Sequence, residues 1–189
     1  LKVDPRHLER IGVELHEVAR GGDITWHGPG QLVGYTICDL SATGRDLHRF
    51  LRAIEDGAIN SLRHFGIDGR RVAGRTGVWV GDDKIASIGI AVRRWVSYHG
   101  FALNVAPDLS AFGMIHPCGL RGIQMTSMAA LLGQVPAMSH VRQVAAECVA
   151  VALGLEPVSW VDAGEVWRVA GLTADNSAEG SSPRARQSA

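Results

Sequence analysis

The chain has 189 residues, 46% of them apolar, and nineteen basic and nineteen acidic side chains cancel to a formal net charge of zero. That is enough for one domain with a real core, and the even balance argues against nucleic acid or an anionic membrane as a partner held by global charge. No apolar run is long enough to span a bilayer, the charged start Leu1–Arg6 lacks a signal-peptide core, and three widely spaced cysteines fit a reducing, cytoplasmic setting.

In chain order, Gly12–Val18 alternates loosely and predicts a strand. It leads into Arg20-Gly-Gly-Asp-Ile-Thr-Trp-His-Gly-Pro-Gly-Gln-Leu32, which holds four of the 23 glycines in 13 residues. Glycine lets backbone approach a ligand closely, and Pro29 fixes the exit of the turn. Arg20, Thr25, His27 and Gln31 stay polar among the glycines, a mixture that a purely connecting loop does not need. On composition alone, a glycine-rich connection between two strands fits equally well.

Leu32–Asp39 is more continuously apolar and predicts a central strand, with Cys38 packing in it as a small hydrophobe. Asp46–Phe65 is the clearest helix: Leu47, Phe50, Leu51, Ile54, Ala58, Leu62 and Phe65 recur at helical spacing, Gly66 caps the end, and His48 and His64 are surface residues. Gly77–Val80, a turn at Gly81–Asp83, and Lys84–Val92 predict a hairpin. Trp95–Val105 is a further strand in which Gly100 marks a bulge or a close backbone approach.

A loop after Pro107 leads to Ile115–Leu120, then Thr126–Leu132 predicts a short helix. Ser139 is expected to cap a longer one, with Val141, Val144, Ala145, Cys148 and Ala152 on one face before Gly154. From Thr173 the sequence turns small and polar and predicts a disordered tail over 173–189, leaving residues 1–172 as the folded domain. Strands in the middle with helices around them place the domain in the mixed α/β or α+β class.

Cys118 differs from the other two cysteines because it lies between Pro117 and Gly119, in a turn between rigid elements, where reactive side chains are usually presented. A free thiol titrates near about 8.5 and needs help to become a thiolate at neutral pH. His116 is one helper within reach in sequence, and Lys84 is another, because an ammonium stabilises a thiolate and a lysine can carry protons. By residue type alone, Lys84 reads as an ordinary turn lysine. His116 and Cys118 lack further ligands at metal spacing, so no metal is expected.

Three segments in this order resemble the octanoyltransferases of lipoate biosynthesis, the lipoyl(octanoyl) transferase family. They are Arg20 to Leu32, Lys84-Ile-Ala-Ser-Ile-Gly89, and Pro117-Cys-Gly-Leu120 preceded by His99-Gly-Phe-Ala-Leu-Asn104, and the resemblance runs from about Gly12 to Gly154. It implies the fold of the biotin and lipoate protein ligases, a mixed sheet flanked by helices. It implies an octanoyl group moved from octanoyl-acyl carrier protein to a lysine of lipoyl domains, those of 2-oxoacid dehydrogenase E2 subunits and of the glycine cleavage H protein. The implied nucleophile is Cys118, and Lys84 is the lysine that activates it and shuttles protons. The implied acyl-binding residues are Arg20, Gly21, Gly22, Asp23, Ile24, Thr25, Trp26 and His27, then Ser87, Ile88 and Gly89, then Gly100, Phe101 and Ala102.

The residues agree with that chemistry. Ile24, Trp26 and Phe101 beside bare backbone suit an apolar tunnel, and burying an eight-carbon chain at about 0.8 kcal/mol per CH₂ supplies several kcal/mol without charged contacts. Exchange between thioesters is close to isoenergetic, so neither ATP nor another cofactor is expected. Backbone N–H groups at Cys118 and Gly119 are the natural donors to the oxyanion. Arg70, Arg71 and Arg75, or Arg93 and Arg94, are basic groups suited to acidic carrier proteins.

Two other readings compete. An ATP-dependent lipoate or biotin protein ligase shares the fold but does not need a nucleophilic cysteine. A truncated homologue would keep the motifs without a working pocket. Family members carry a segment upstream of the glycine loop with His-Pro and Tyr-x-x-Gly elements, and only 19 residues precede Arg20, so the domain is expected to be incomplete at its N-terminal side.

Overall fold

The protein is described here by a computed structural model covering residues 1–41, 44–115, 123–156, 159–162 and 165–166. The elements are α1 (Pro5–Arg10), β1 (Gln31–Tyr35), α2 (Leu47–His64), β2 (Arg70–Val72), β3 (Arg75–Val80), β4 (Asp83–Arg93), β5 (Val96–Asn104), a 3₁₀ helix (Leu109–Met114), α3 (Met128–Leu132) and α4 (Met138–Ala152). The chain divides into compact units Leu1–Pro157 and Val158–Ala189, and all of these elements lie in the first. In the second, the Asp162 carboxylate accepts from the Glu165 N–H. The tail over 173–189 and the turn around Cys118 lie outside the described residues.

Five strands form one sheet in the order β1-β5-β4-β3-β2, each antiparallel to its neighbours. Among the described residues an isolated parallel bridge, Lys84 with Met125, adds a parallel pairing beside β4. Helices α2 and α4 pack against each other, and α2 lies against β3, β4 and β5. Ile54 and Leu62 from α2, Val141 and Ala145 from α4, and Val78, Ile85, Ile88 and Leu103 from the sheet meet in the core. The sheet flanked by helices is therefore the architecture that forms.

The long helix follows its sequence closely. The Asp46 carboxylate caps the start by accepting from the Arg49 N–H, and Phe50, Ile54, Ala58 and Leu62 give the buried stripe. At its end Gly66 donates to the Arg63 carbonyl and Ile67 to that of Leu62, a Schellman closure that also brings Leu62 and Ile67 together in the core. Helix α4 ends in the same way, with Gly154 donating to Val151 and Leu155 to Ala150.

Its start is different from expectation. Ala137 takes the cap position without a side-chain bond, and Ser139 lies inside the first turn. Cys148 is half-buried at the margin of the α4 face, where Val149 is the buried residue. Helix α3 begins only at Met128, because Met125 is bridged to Lys84 and Ser127 takes the extended N-cap conformation, its hydroxyl accepting from the Ala130 N–H.

Two strand expectations fail for one reason, the lack of a partner. Residues 13–20 form no strand and pair with none among the described residues, and Leu15 and Val18 are exposed. β1 is an edge strand rather than a central one: Val33 is 42% and Tyr35 68% exposed. Beyond β1 the chain still runs beside β5, with Thr36 donating to the His99 carbonyl, Ser97 to that of Cys38, and Leu40 to that of Trp95. Gly100 is the close approach foreseen, since a Cβ there would collide with the Gly34 carbonyl.

Gly57 supplies a test of the helix pair. A Cβ at this position would lie 2.6 Å from the Val149 Cα, which is backbone and cannot step aside. Helix propensity favours alanine by about 1 kcal/mol, but overpacking of this kind costs about 1–3 kcal/mol. Gly57→Ala is therefore expected to lower the thermal midpoint, and a raised midpoint would show that α4 can retreat.

Candidate active site

The strand register divides the predicted site residues between two faces. Ser87 pairs with Ala102, Gly89 with Gly100, and Lys84 with Trp79. These side chains share the face turned away from α2 and α4, because their neighbours Val78, Ala86, Ile88, Phe101 and Leu103 fill the helix-side core. Lys84 and Ser87 can share a face despite being three apart because the register slips. Val78 pairs with Ala86 but Trp79 with Lys84, which inserts Ile85 as an extra residue in β4. Ile88 and Phe101 thus have their side chains in the core, and only their backbone faces the strands around the site.

Lys84 is not a turn lysine. It is 1% exposed, with its ammonium 5.6 Å from the centre of the Trp79 ring, which is also 1% exposed. The Arg75 guanidinium lies 5.5 Å from the same ring centre. A buried cation over an aromatic ring gains from the ring's quadrupole. The backbone of Lys84 is fixed as well: its N–H donates to the Gln124 carbonyl and its carbonyl accepts from the Thr126 N–H, both at 2.9 Å. Gln124 stands six residues beyond Cys118 in the sequence. Cys118 and His116 themselves lie outside the described residues.

The glycine loop docks on the same sheet. The Gly21 N–H donates to the Ile90 carbonyl at 2.8 Å, and the Arg20 guanidinium folds back onto the carbonyls of Gly21 and Asp23 at 3.2 and 2.7 Å. The loop can settle there because Gly89 has no side chain: a Cβ would lie 2.9 Å from the Gly21 oxygen and 3.1 Å from the Arg20 Cδ. Gly22 and Asp23 are exposed, Ile24 and Thr25 half-buried, and the Asp23 carboxylate accepts from the Ile24 N–H. Trp26 meets Phe112 of the 3₁₀ helix edge to face, with ring centres 5.6 Å apart.

A relay of side chains joins the loop to the segment after Cys118. His27 Nδ1 and Gln31 Oε1 are 3.1 Å apart, Gln31 Nε2 donates to Asn104 Oδ1 at 2.9 Å, and Asn104 Nδ2 donates to the Thr126 carbonyl at 3.0 Å. Asn104 is buried, so its amide is committed to this path. Sequence reasoning quoted Asn104 only as the end of a motif and assigned it no role.

The surroundings of Cys38 and Cys148 disfavour the thiolate. Burial pushes the Cys38 thiol up, and its hydrogen bond with Ser97 only partly offsets this. Burial, then the Glu147 charge, pushes the Cys148 thiol up. Among the described residues no helix is long and apolar enough to cross a membrane, and no three metal-ligating side chains cluster.

Residues 1–150 match the model of the lipoyl protein ligase A/B catalytic domain. The octanoyltransferase of Geobacter metallireducens is 52% identical over 132 residues, covering 70% of this chain and 62% of that protein. The octanoyltransferase of Syntrophobacter fumaroxidans is 52% identical over 143 residues, covering 76% of this chain and 63% of that protein. The chain thus spans a little over three-fifths of the length of these relatives. Among solved structures, lipoate-protein ligase A bound with ATP superposes with a TM-score of 0.68 at 19% identity, over 87% of this chain and 69% of the other. A bi-partite lipoate protein ligase from Thermoplasma acidophilum gives 0.63 at 17%, over 86% and 67%. These likenesses bear on the fold, a mixed sheet flanked by helices. With the sheet, the glycine loop docked on it and the family model all falling within the same stretch, the chain belongs to the lipoyl protein ligase A/B catalytic domain family.

Proposed function

We propose that the protein is an acyltransferase that moves an octanoyl group from octanoyl-acyl carrier protein to a lysine of lipoyl domains, through a thioester on Cys118. The acceptors are the lipoyl domains of 2-oxoacid dehydrogenase E2 subunits and the glycine cleavage H protein, and the reaction runs in the cytoplasm without ATP. The catalytic domain is residues 1–172. The observation that supports this most is the buried Lys84, whose backbone is bonded to the segment that follows Cys118. The octanoyltransferases at 52% identity support the choice of acyl group.

In this reading the Cys118 proton already rests on Lys84, giving a thiolate–ammonium pair, and the thiolate attacks the carrier thioester carbonyl. The tetrahedral oxyanion collapses by breaking the bond to the carrier sulfur, which leaves with the proton from Lys84. An acceptor lysine amine then attacks the Cys118 thioester, Lys84 removes the amine's proton, an amide forms, and the proton returns to the departing Cys118 sulfur. The glycine loop residues Arg20 to His27 with Ser87, Gly89, Gly100 and Ala102 form the acyl site, and Ile88 and Phe101 contribute through their backbone. The basic groups Arg93 and Arg94 receive the carriers, since Arg70, Arg71 and Arg75 are engaged by Gly81, by Glu55 and Asp56, and by the Trp79 ring.

The test is intact-mass spectrometry after mixing with octanoyl-acyl carrier protein. The expected result is one octanoyl increment that maps to Cys118 and is removed by hydroxylamine. A folded sample that stays unmodified, but octanoylates its acceptor when given ATP and free octanoate, would overturn the transferase in favour of a ligase.

A further inference from the structure

Gly77 lies on the Lys84 face of β3, and its conformation and surroundings both exclude a side chain. Its φ is +121°, where residues with a Cβ are strained. A Cβ at Gly77 would stand 2.5 Å from the Ala86 carbonyl oxygen, 2.6 Å from Lys84 Cε and 3.2 Å from Lys84 Nζ. The end of the lysine chain therefore runs directly over a bare Cα.

That Cα is held from behind. The Gly77 N–H donates to Glu55 Oε1 at 3.0 Å, along a stretch of β3 where the pairing with β2 slips out of register. Glu55 is 0% exposed, and its other oxygen accepts from Arg52 Nη1 at 2.6 Å and from Arg71 Nε at 2.9 Å. A carboxylate gripped by two guanidinium groups and a backbone N–H has little room to move. The conformation of Gly77 is thus held by the long helix, and the floor under the lysine is held with it.

Resting on the reading of Lys84 as the proton carrier of Cys118, we propose that Gly77, anchored by Glu55, is a positioning residue that sets where the Lys84 ammonium sits. A glycine present only to relieve a turn would account for the φ value. It would not account for a lysine end packed on its Cα, or for a buried carboxylate spent on its N–H.

The experiment is the rate of Cys118 alkylation by iodoacetamide as a function of pH, read by peptide mass in the whole protein. Five samples are compared: wild type, Lys84→Ala, Gly77→Ala, the double variant of these two, and Glu55→Asp, which retracts the carboxylate while keeping its charge near Arg52 and Arg71. Lys84→Ala is expected to slow alkylation at neutral pH by about tenfold, the fall that a one-unit rise in the thiol midpoint gives. Gly77→Ala and Glu55→Asp should move the midpoint in the same direction, and Gly77→Ala should add nothing in the Lys84→Ala background.

A shifted midpoint in Lys84→Ala with wild-type profiles in folded Gly77→Ala and Glu55→Asp would overturn the positioning role alone. A further shift in the double variant would mean that Gly77 acts on Cys118 by another route, and would overturn it too. An unchanged midpoint in Lys84→Ala would overturn the dyad, and the positioning role with it. If Gly77→Ala does not fold, Glu55→Asp decides.

Discussion

Octanoyl transfer is expected to vanish in Cys118→Ala and to fall about 10²–10⁴-fold in Lys84→Ala, the range a positioned proton carrier contributes. The two losses have different causes, so they should look different in the test tube. Without the thiol no thioester forms, and no octanoyl increment should be seen at any incubation time. Without the lysine the thiol is still present, so the increment should form slowly and recover as the pH is raised toward the range of an unassisted thiol. Lys84→Arg separates charge from proton transfer. A guanidinium keeps the positive charge but cannot give up its proton, and its planar fork does not match a slot shaped by Trp79 and Gly77. It should therefore be nearly as slow as Lys84→Ala in steady-state transfer. Near-wild-type transfer in Lys84→Ala would remove Lys84 from the mechanism.

What made Lys84 hard to see in the sequence is that nothing local marks a buried cation. It follows Gly81-Asp-Asp83, and lysine after a turn is usually solvated. Its burial depends on the extra residue at Ile85, on the bare Gly77 across the pair, and on the segment at Gln124–Thr126 that replaces β5 beside it. None of these is a local pattern. The link from Gln31 to Asn104 likewise spans 73 residues, beyond the reach of any spacing rule. The family motifs did mark these segments, but as strings without partners.

The elements that were legible are those whose energetics are local or periodic. The α2 stripe repeats every three to four residues over 18 positions, and its caps, Asp46 and Gly66, sit where the rules put them. The β3–β4 hairpin is set by its turn. β1 lies at the edge despite its apolar run, because such a run identifies a central strand only when both of its faces are covered. Here Val33, Tyr35 and Ile37 remain exposed, so the apolar run reports composition and not depth.

The largest expected loss of stability comes from Glu55→Ala, at about 3 kcal/mol. Glu55 lies on the buried stripe of α2, where an apolar residue would be expected, and its carboxylate is fully enclosed. Removing it leaves a void at the helix–sheet junction, strips the Gly77 N–H of its acceptor, and takes one partner from each of two arginines. The arginines soften the blow because both reach water. The Arg52 side chain is 51% exposed and that of Arg71 35%, and Arg71 keeps Asp56 and the Arg52 carbonyl. This places the cost at the lower end of the range for breaking a buried pair, which is about 3–5 kcal/mol. Glu55→Gln keeps the volume and one acceptor, so it should cost less, about 1–2 kcal/mol for the lost charge-assisted bonds. Urea unfolding reads both variants, as lower midpoints with an unchanged slope. If Glu55→Ala lost under about 1 kcal/mol, the carboxylate would not be what ties α2 to β3. A changed slope would instead mean that the variant unfolds in parts, with β2 and β3 separating from the helix before the rest of the sheet.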